Sequence, residues 1–343
     1  MPLDALAHQV IPLVEALESM GADADAVLAR AGLRREDIAD PTTRLDDTVE
    51  QRVWDAIVSV TGCEQAGLEL AEHVRAGTLG AYEYLLRNAG TLGQTLDWAD
   101  RYARLVDQRT RVAVVTRDEL AIVRMWRHDG SVFVPEGVEC LLAVVARLGR
   151  ERIPEALQLV SVSMAHEAIG DLATYEKVFR CPVQFGALAY EMALPIAALD
   201  NPLDGADPGL GEVLREHVEG LLATAPPVDP ILERAWRLLS DGLDREAFGV
   251  DDLAKGLHVS PRTLRRRLDA AGTSYSALLE DVRRERAAHY LAHTDEGLAQ
   301  IASKLGFAEA STFYRAFKRW TSHTPAQYRK RARSRTGSAK VDE

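Results

Sequence analysis

One four-residue apolar spacing occurs twice toward the C-terminal end of the chain, and few folds accommodate that. Val250, Leu253, Ala254 and Leu257 stand at i, i+3, i+4 and i+7, and Leu298, Ile301, Ala302 and Leu305 repeat the spacing 48 positions later. Such spacing gathers four side chains on one face of a short helix. A helix of two turns is not stable alone in water, so each needs a partner to cover its apolar stripe. The next residues supply one. A tight turn follows each copy (Leu257, His258, Val259, Ser260; then Leu305, Gly306, Phe307) and leads into a second helix. In the first copy Ser260 suits the N-cap and Pro261 the first helical position, with Leu264 and Leu268 as anchors. In the second copy Phe313 and Phe317 take the anchoring places, and Trp320 joins them in the core. The pattern predicts two helix-turn-helix motifs, at about 250–269 and 298–320.

The anchors also fix what faces outward. With about 100° of rotation per residue, burying Leu264 and Leu268 turns Arg262 and Arg266 to the opposite side. Thr263 and Arg265 flank them, and Arg267 falls near the core edge. The same rotation turns Ser311 and Arg315 outward with Thr312 beside them. A DNA major groove accepts such residues: Arg donates two bonds to guanine O6 and N7, and a Thr methyl touches the thymine methyl. Arg315 equally suits a phosphate, which positions a helix without reading a base. Between the copies, Tyr275 to Ala292 reads as a linker helix of about 18 residues, roughly 27 Å long. The two outward helices then stand about one DNA turn, roughly 34 Å, apart.

Charge supports this division only when counted by region. The chain carries a net charge of -11, yet residues 1–240 hold 22 Lys and Arg against 38 Asp and Glu, while residues 241–343 hold 19 against 14. Within 262–335 the balance is 16 basic to 7 acidic. A basic segment on an acidic chain fits a polyanionic partner for one part only. At 343 residues the chain suits two or three domains. Three prolines in Ala225, Pro226, Pro227, Val228, Asp229, Pro230 mark a linker at 225–230. It separates a first domain at 1–224 from a second at 231–331, and the polar 332–343 reads as a flexible tail.

The first domain mixes periods. Val10, Leu13, Val14 and Leu17 share a helical face, as do Leu92, Leu96, Ala99, Tyr102 and Ala103. Arg111 to Thr116 and Leu120 to Trp126 are β-branched runs on either side of Arg117, Asp118 and Glu119, which predicts a hairpin. A helix from Pro135 to Leu148, a strand from Leu157 to Met164, a helix from Gly170 to Phe179, a strand near Val183 to Leu194 and a helix from Gly211 to Ala223 follow. The expected fold class is mainly α with an α+β sensor domain, and a C-terminal all-α tandem helix-turn-helix domain joined by a linker helix. Tyr82, Tyr84, Trp98, Trp126 and His128 suit an effector pocket or ordinary packing equally.

Catalytic and membrane signals are absent. There is no apolar run near the roughly 18 residues a membrane helix needs and no basic flank at the N-terminus, so the chain is expected in the cytoplasm. No GxxxxGK, HExxH or GxSxG pattern occurs. Cys63, Cys140 and Cys181 are too scattered for a close zinc site and read as buried reduced thiols. His289 and His293 have a metal-compatible spacing but no evident third ligand, which favours surface histidines. No metal and no cofactor are expected.

The C-terminal half resembles the AraC/XylS family of bacterial transcription regulators. The resemblance is carried by Ser260-Pro-Arg-Thr-Leu-Arg-Arg-Arg-Leu268, Gly272-Thr-Ser-Tyr275, the segment from Val282-Arg283 to Leu291, Ile301-Ala-Ser-Lys-Leu-Gly-Phe307, Ser311-Thr-Phe-Tyr-Arg-Ala-Phe-Lys-Arg-Trp320 and Thr324-Pro-Ala-Gln-Tyr-Arg329. It departs at Ser322, where the family usually has glycine. The first half resembles the ligand-binding domain of the subgroup that includes ornithine-utilisation regulators. Gly77-Thr-Leu-Gly80, Tyr82 to Ala89, Leu92-Gly-Gln-Thr-Leu96 and Pro182-Val-Gln-Phe-Gly186 through Leu199-Asp-Asn-Pro-Leu203 carry that likeness. The resemblance implies a sheet-and-helix sensor in place of the arabinose regulator's cupin barrel. It implies an effector-controlled regulator of promoter DNA, and not an enzyme. Its partners would be double-stranded promoter DNA, a small-molecule effector, RNA polymerase if it activates, and a second copy if it dimerises. Two alternatives stay open: a protein-interaction factor tethered to DNA, and a DNA-repair methyltransferase with an AraC-like module, which needs a reactive thiolate.

Overall fold

The computed structural model describes residues 5–41, 43–46, 48–107, 110–127, 133–153, 158–187, 189–224, 231–242, 249–270, 273–294, 296–321 and 324–330. The chain opens with β1 (Ala5–Leu6), α1 (Ile11–Ser19), α2 (Ala24–Arg30), β2 (Arg44–Leu45), α3 (Val49–Thr61) and α4 (Ala66–His73). Next come α5 (Gly80–Arg87), α6 (Leu92–Tyr102), β3 (Thr110–Arg117), β4 (Leu120–Arg127), α7 (Pro135–Arg152), β5 (Ser161–Ser163), α8 (Leu172–Phe179), β6 (Val183–Gln184), β7 (Tyr190–Pro195) and α9 (Pro208–Thr224). The C-terminal part holds α10 (Ile231–Gly242), α11 (Val250–Gly256), α12 (Pro261–Ala270), α13 (Tyr275–His293), α14 (Leu298–Lys304) and α15 (Ala310–Thr321). The expected class, a mixed helix-and-sheet domain before an all-helical one, is what the structure shows.

Local chemistry explains several boundaries. Asp23 caps α2 by accepting the Ala26 amide at 2.9 Å, and Thr91 caps α6 through the Gln94 amide at 3.2 Å. The predicted hairpin is β3 paired antiparallel with β4 from Thr110↔Arg127 to Arg117↔Leu120, and Asp118 at φ 54° makes the reversal. The sheet order is β3-β4-β7-β5-β6, with only β5 and β6 parallel. The single strand expected near 183–194 is instead two. Gly186 adopts φ 63° and its amide donates to His166 O at 2.9 Å, so the chain reverses. As a result β6 and β7 flank β5 on opposite sides, Val162 facing both Val183 and Met192. Leu157 and the 225–230 and 332–343 segments lie outside the described residues.

The first domain buries a large core that includes Leu17, Trp54, Ile57, Leu68, Met164 and Phe179. A smaller set, Leu85, Tyr102 and Val218 with Tyr82, Trp98 and Leu214 packed against it, joins α5, α6 and α9. The C-terminal residues form two further cores. Ile231, Leu239, Leu253, Leu257, Leu264 and Leu268 make one, and Ile301, Leu305, Phe313 and Phe317 make the other. The helix α13 serves both, giving Leu278 and Val282 to the first and Ala287, Tyr290 and Leu291 to the second. Each fully buried side chain of this size contributes about 1.5–3 kcal/mol.

The repeat seen in the sequence is also a repeat of hydrogen bonds. Asp252 accepts the Gly249 amide at 3.1 Å, and Gln300 accepts the Gly297 amide at 3.0 Å, so in each first helix the side chain three residues in reaches back to the amide of a glycine N-cap. At the turns, His258 N donates to Lys255 O and Val259 N to Ala254 O, matched by Gly306 N to Ser303 O and Phe307 N to Ala302 O. His258 and Gly306 sit at φ 56° and 69°. One expectation fails in detail: Val250 is 36% exposed, whereas the longer Leu298 at the equivalent position packs against the second core.

Candidate nucleic-acid interface

The second helix of each motif exposes the side that its anchors do not bury. Ser260 Oγ accepts the Thr263 amide at 3.1 Å and closes the first turn of α12. Leu264 and Leu268 are 0% and 1% exposed, while Arg262, Arg265 and Arg266 are exposed. Arg267, placed by rotation near the core edge, is exposed too. On α15 the anchors Phe313 and Phe317 are buried, and Ser311, Thr312 and Arg315 are exposed.

These residues are not equally available to a ligand. Arg262, Arg265, Arg266 and Arg315 hold no ion pair among the described residues. By contrast Thr263 is half-buried, and its hydroxyl lies 2.8 Å from Ser260 Oγ. Ser311 Oγ donates to Glu309 at 2.9 Å, so its hydroxyl is committed within the head of α15. Donor capacity toward a duplex therefore rests mainly on the four arginines, which suit both base edges and phosphates.

Two polar residues on α13 were missed in the sequence. Arg283 donates from Nε to Leu305 O at 2.7 Å and from Nη2 to Gly306 O at 2.9 Å, and its guanidinium lies 4.7 Å from the Phe307 ring centre. Glu280 accepts Arg319 Nη2 and Trp320 Nε1, both at 2.5 Å. Those donors hold the Glu280 carboxyl below the usual glutamate range. Arg283 sits in a basic cluster and reads from sequence as one more solvated charge. The side chains of His289 and His293 and the residue Ser322 lie outside the described residues.

The first domain does not gather its candidate aromatics into one site. Tyr82 and Trp98 pack in the α5, α6 and α9 cluster, Tyr84 is exposed beside Gly77, and Trp126 lies on β4 opposite Arg111. His128 is outside the described residues. A groove of about 820 Å³ lies elsewhere, between α4, α7 and α8, where Glu69, Glu72, Arg147, Lys177 and Arg180 line it. Nearby, Glu139 is 0% exposed, and its Oε1 accepts Tyr175 OH at 2.5 Å and lies 2.8 Å from His166 Nε2. Cys140 and Cys181 are buried and their thiols pushed up to about 12 and about 11, so neither is a thiolate at neutral pH; Cys63 is half-buried. Among the described residues no helix is long and apolar enough to cross a membrane.

Comparison with known proteins matches two family profiles. Residues 21–203 match the arabinose-binding domain of AraC transcription regulators, and residues 253–331 match a helix-turn-helix domain. The chain is 29% identical to the ornithine utilization regulator of Pseudomonas aeruginosa over 92% of its own length and 94% of that protein's. It is 30% identical to the HTH-type transcriptional regulator VirS of Mycobacterium tuberculosis, over 81% and 82% respectively. The crystal structure of the transcriptional regulator CdpR from Pseudomonas aeruginosa has 24% identity and a TM-score of 0.45, covering 94% of this chain and 98% of that one.

Proposed function

Because the chain belongs to the AraC family of transcription regulators, with a ligand-binding N-terminal domain and a DNA-binding helix-turn-helix domain, we propose that α12 and α15 together read successive major-groove segments of one promoter. Arg262, Thr263, Arg265 and Arg266 face the first segment, and Ser311, Thr312 and Arg315 the second. The observation that carries this reading is the duplicated exposed face, set opposite Leu264 and Leu268 in one copy and Phe313 and Phe317 in the other. The family is one of regulators and not of enzymes.

In this proposal residues 1–224 sense a small molecule and residues 231–331 bind the promoter. The effector acts by favouring one arrangement of the reading modules, and it shifts that balance only by its differential affinity for the two arrangements. A second copy of the chain, and RNA polymerase where transcription is activated, complete the partner set.

The test is binding of the full chain to DNA upstream of its own gene and to scrambled DNA of equal length. Arg266→Ala is expected to weaken specific binding by about 1–3 kcal/mol where the contact is to a base. Equal loss on both DNAs makes Arg266 a phosphate contact, and equal wild-type affinity for both overturns sequence-specific reading in favour of a DNA-tethered interaction protein.

A further inference from the structure

The two reading helices are useful as a pair only if something fixes the angle between them. The shared helix α13 does part of this, since its Leu278 and Val282 are packed in the first core and its Ala287, Tyr290 and Leu291 in the second. Apolar contacts of that kind are non-directional and tolerate rocking. The second motif is also held by polar groups of α13 one to two turns before Ala287, at the edge of its apolar core where Phe307 and Trp320 pack. From Tyr290 back to Glu280 along α13 is roughly 15 Å at about 1.5 Å per residue. There Arg283 bonds two carbonyls of the α14–α15 turn and lies over Phe307, while Glu280 takes the Arg319 and Trp320 donors at the far end of α15. Hydrogen bonds weaken steeply with misalignment, so these restrain the rocking that the apolar core permits. The turn is fitted to this contact: a Cβ on Gly306 would stand 3.1 Å from Arg283 Nη2. The first motif leans on α10 through Ile231, Ala235 and Leu239.

We propose that Glu280 and Arg283 are positioning residues that lock the second motif to α13 and thereby set which spacing of two DNA segments the protein accepts. The inference rests on the reading that α12 and α15 engage one duplex. Neither residue needs to touch DNA. A change of two base pairs between segments rotates one of them by about 70° around the duplex, given 10–10.5 base pairs per turn. A locked pair of helices cannot follow that rotation, whereas a loosened pair can.

The experiment measures affinity of the full chain for its promoter site, for versions with two base pairs inserted or deleted between the protected segments, and for a fragment carrying one segment alone. Arg283→Lys keeps the charge but loses the planar fork and the stacking surface. Glu280→Gln keeps the size but loses the charge. The wild type is expected to lose at least tenfold on the altered spacings. Each variant, and the double variant most, is expected to lose less than threefold, with single-segment affinity within twofold of wild type. A general loss of folding lowers binding to every DNA alike and cannot flatten the spacing ratio, and Glu280→Gln serves if Arg283→Lys fails to fold. Variants that bind the single segment normally and keep the tenfold ratio overturn the inference. A wild type that is indifferent to spacing overturns the two-helix reading itself, a result distinct from the first.

Discussion

The two helix-turn-helix copies share a backbone and differ in what holds it. Their first helices have the same side-chain bond back to the N-cap glycine amide and their turns the same pair of hydrogen bonds, shifted by a constant number of residues. The first copy fills its interior with aliphatic side chains from α10, α11, α12 and α13. The second takes Tyr328 from the helical residues 325–330 in place of α10 and uses aromatic side chains: Phe307, Phe313, Phe317, Trp320 and Tyr328, with Phe313 and Phe317 rings 5.7 Å apart. It adds the polar clamp from Glu280 and Arg283. The lesson is that the turn geometry, which aims the outward helix, is common to both copies, whereas the support behind it is open to different solutions.

The largest effects should come from the anchors. Phe317→Ala is expected to cost about 3–5 kcal/mol and Leu268→Ala about 2–5 kcal/mol. Hydrogen exchange should show α14 and α15 opening in the first variant, and α11 and α12 in the second. If either substitution opens both copies equally, the two cores are one cooperative unit and the comparison dissolves. Next in size are the arginines proposed to face DNA, where Arg315→Ala and Arg266→Ala are each expected to lose about 1–3 kcal/mol on a base contact. Should one lose affinity equally on all sequences, with a shallower salt dependence, that copy grips phosphates while the other reads.

A smaller difference is expected in acid. Glu280 has its folded pKa lowered, first by the Arg319 hydrogen bond and then by Trp320. It therefore stabilises the second copy fully above the ordinary glutamate value, and that contribution is lost as pH falls through the lowered folded value. Exchange rates in α15 should rise over that window in the wild type and not in Glu280→Gln; an identical acid response in both variants removes Glu280 from the explanation. The smallest effect concerns the turns. His258 pays the left-handed backbone penalty that Gly306 avoids, about 1 kcal/mol, partly offset by the greater unfolded freedom of glycine. His258→Gly should raise stability by a few tenths of a kcal/mol in chemical denaturation, and Gly306→Ala should lower it by more, because its Cβ meets Arg283.

What the sequence disclosed follows from where the information is local. The helical repeat, the Ser260 cap, the Asp118 reversal and the outward arginines are all set by residues within a turn or two of each other, and periodicity exposes them. The division of 183–194 into β6 and β7 was hidden because both pieces alternate as strands do, and the reversal depends on a bond from Gly186 to the distant His166. Glu139 sits on an amphipathic helix where a carboxylate ordinarily faces water, and its partners His166 and Tyr175 come from separate elements. Arg283 reaches carbonyls 22 and 23 residues away, which no spacing rule signals. Of the proposed DNA-facing set, rotation alone found the exposed arginines, but the commitment of the Thr263 and Ser311 hydroxyls to Ser260 and Glu309 appears only in three dimensions.

Hydroxyl-radical footprinting of the full chain on DNA upstream of its own gene tests the pairing of the two copies most directly. Two protected segments about one helical turn apart on the same face of the duplex are predicted, with Arg266→Ala fading one and Arg315→Ala the other. A single protected segment, or both fading together whichever arginine is removed, would contradict it.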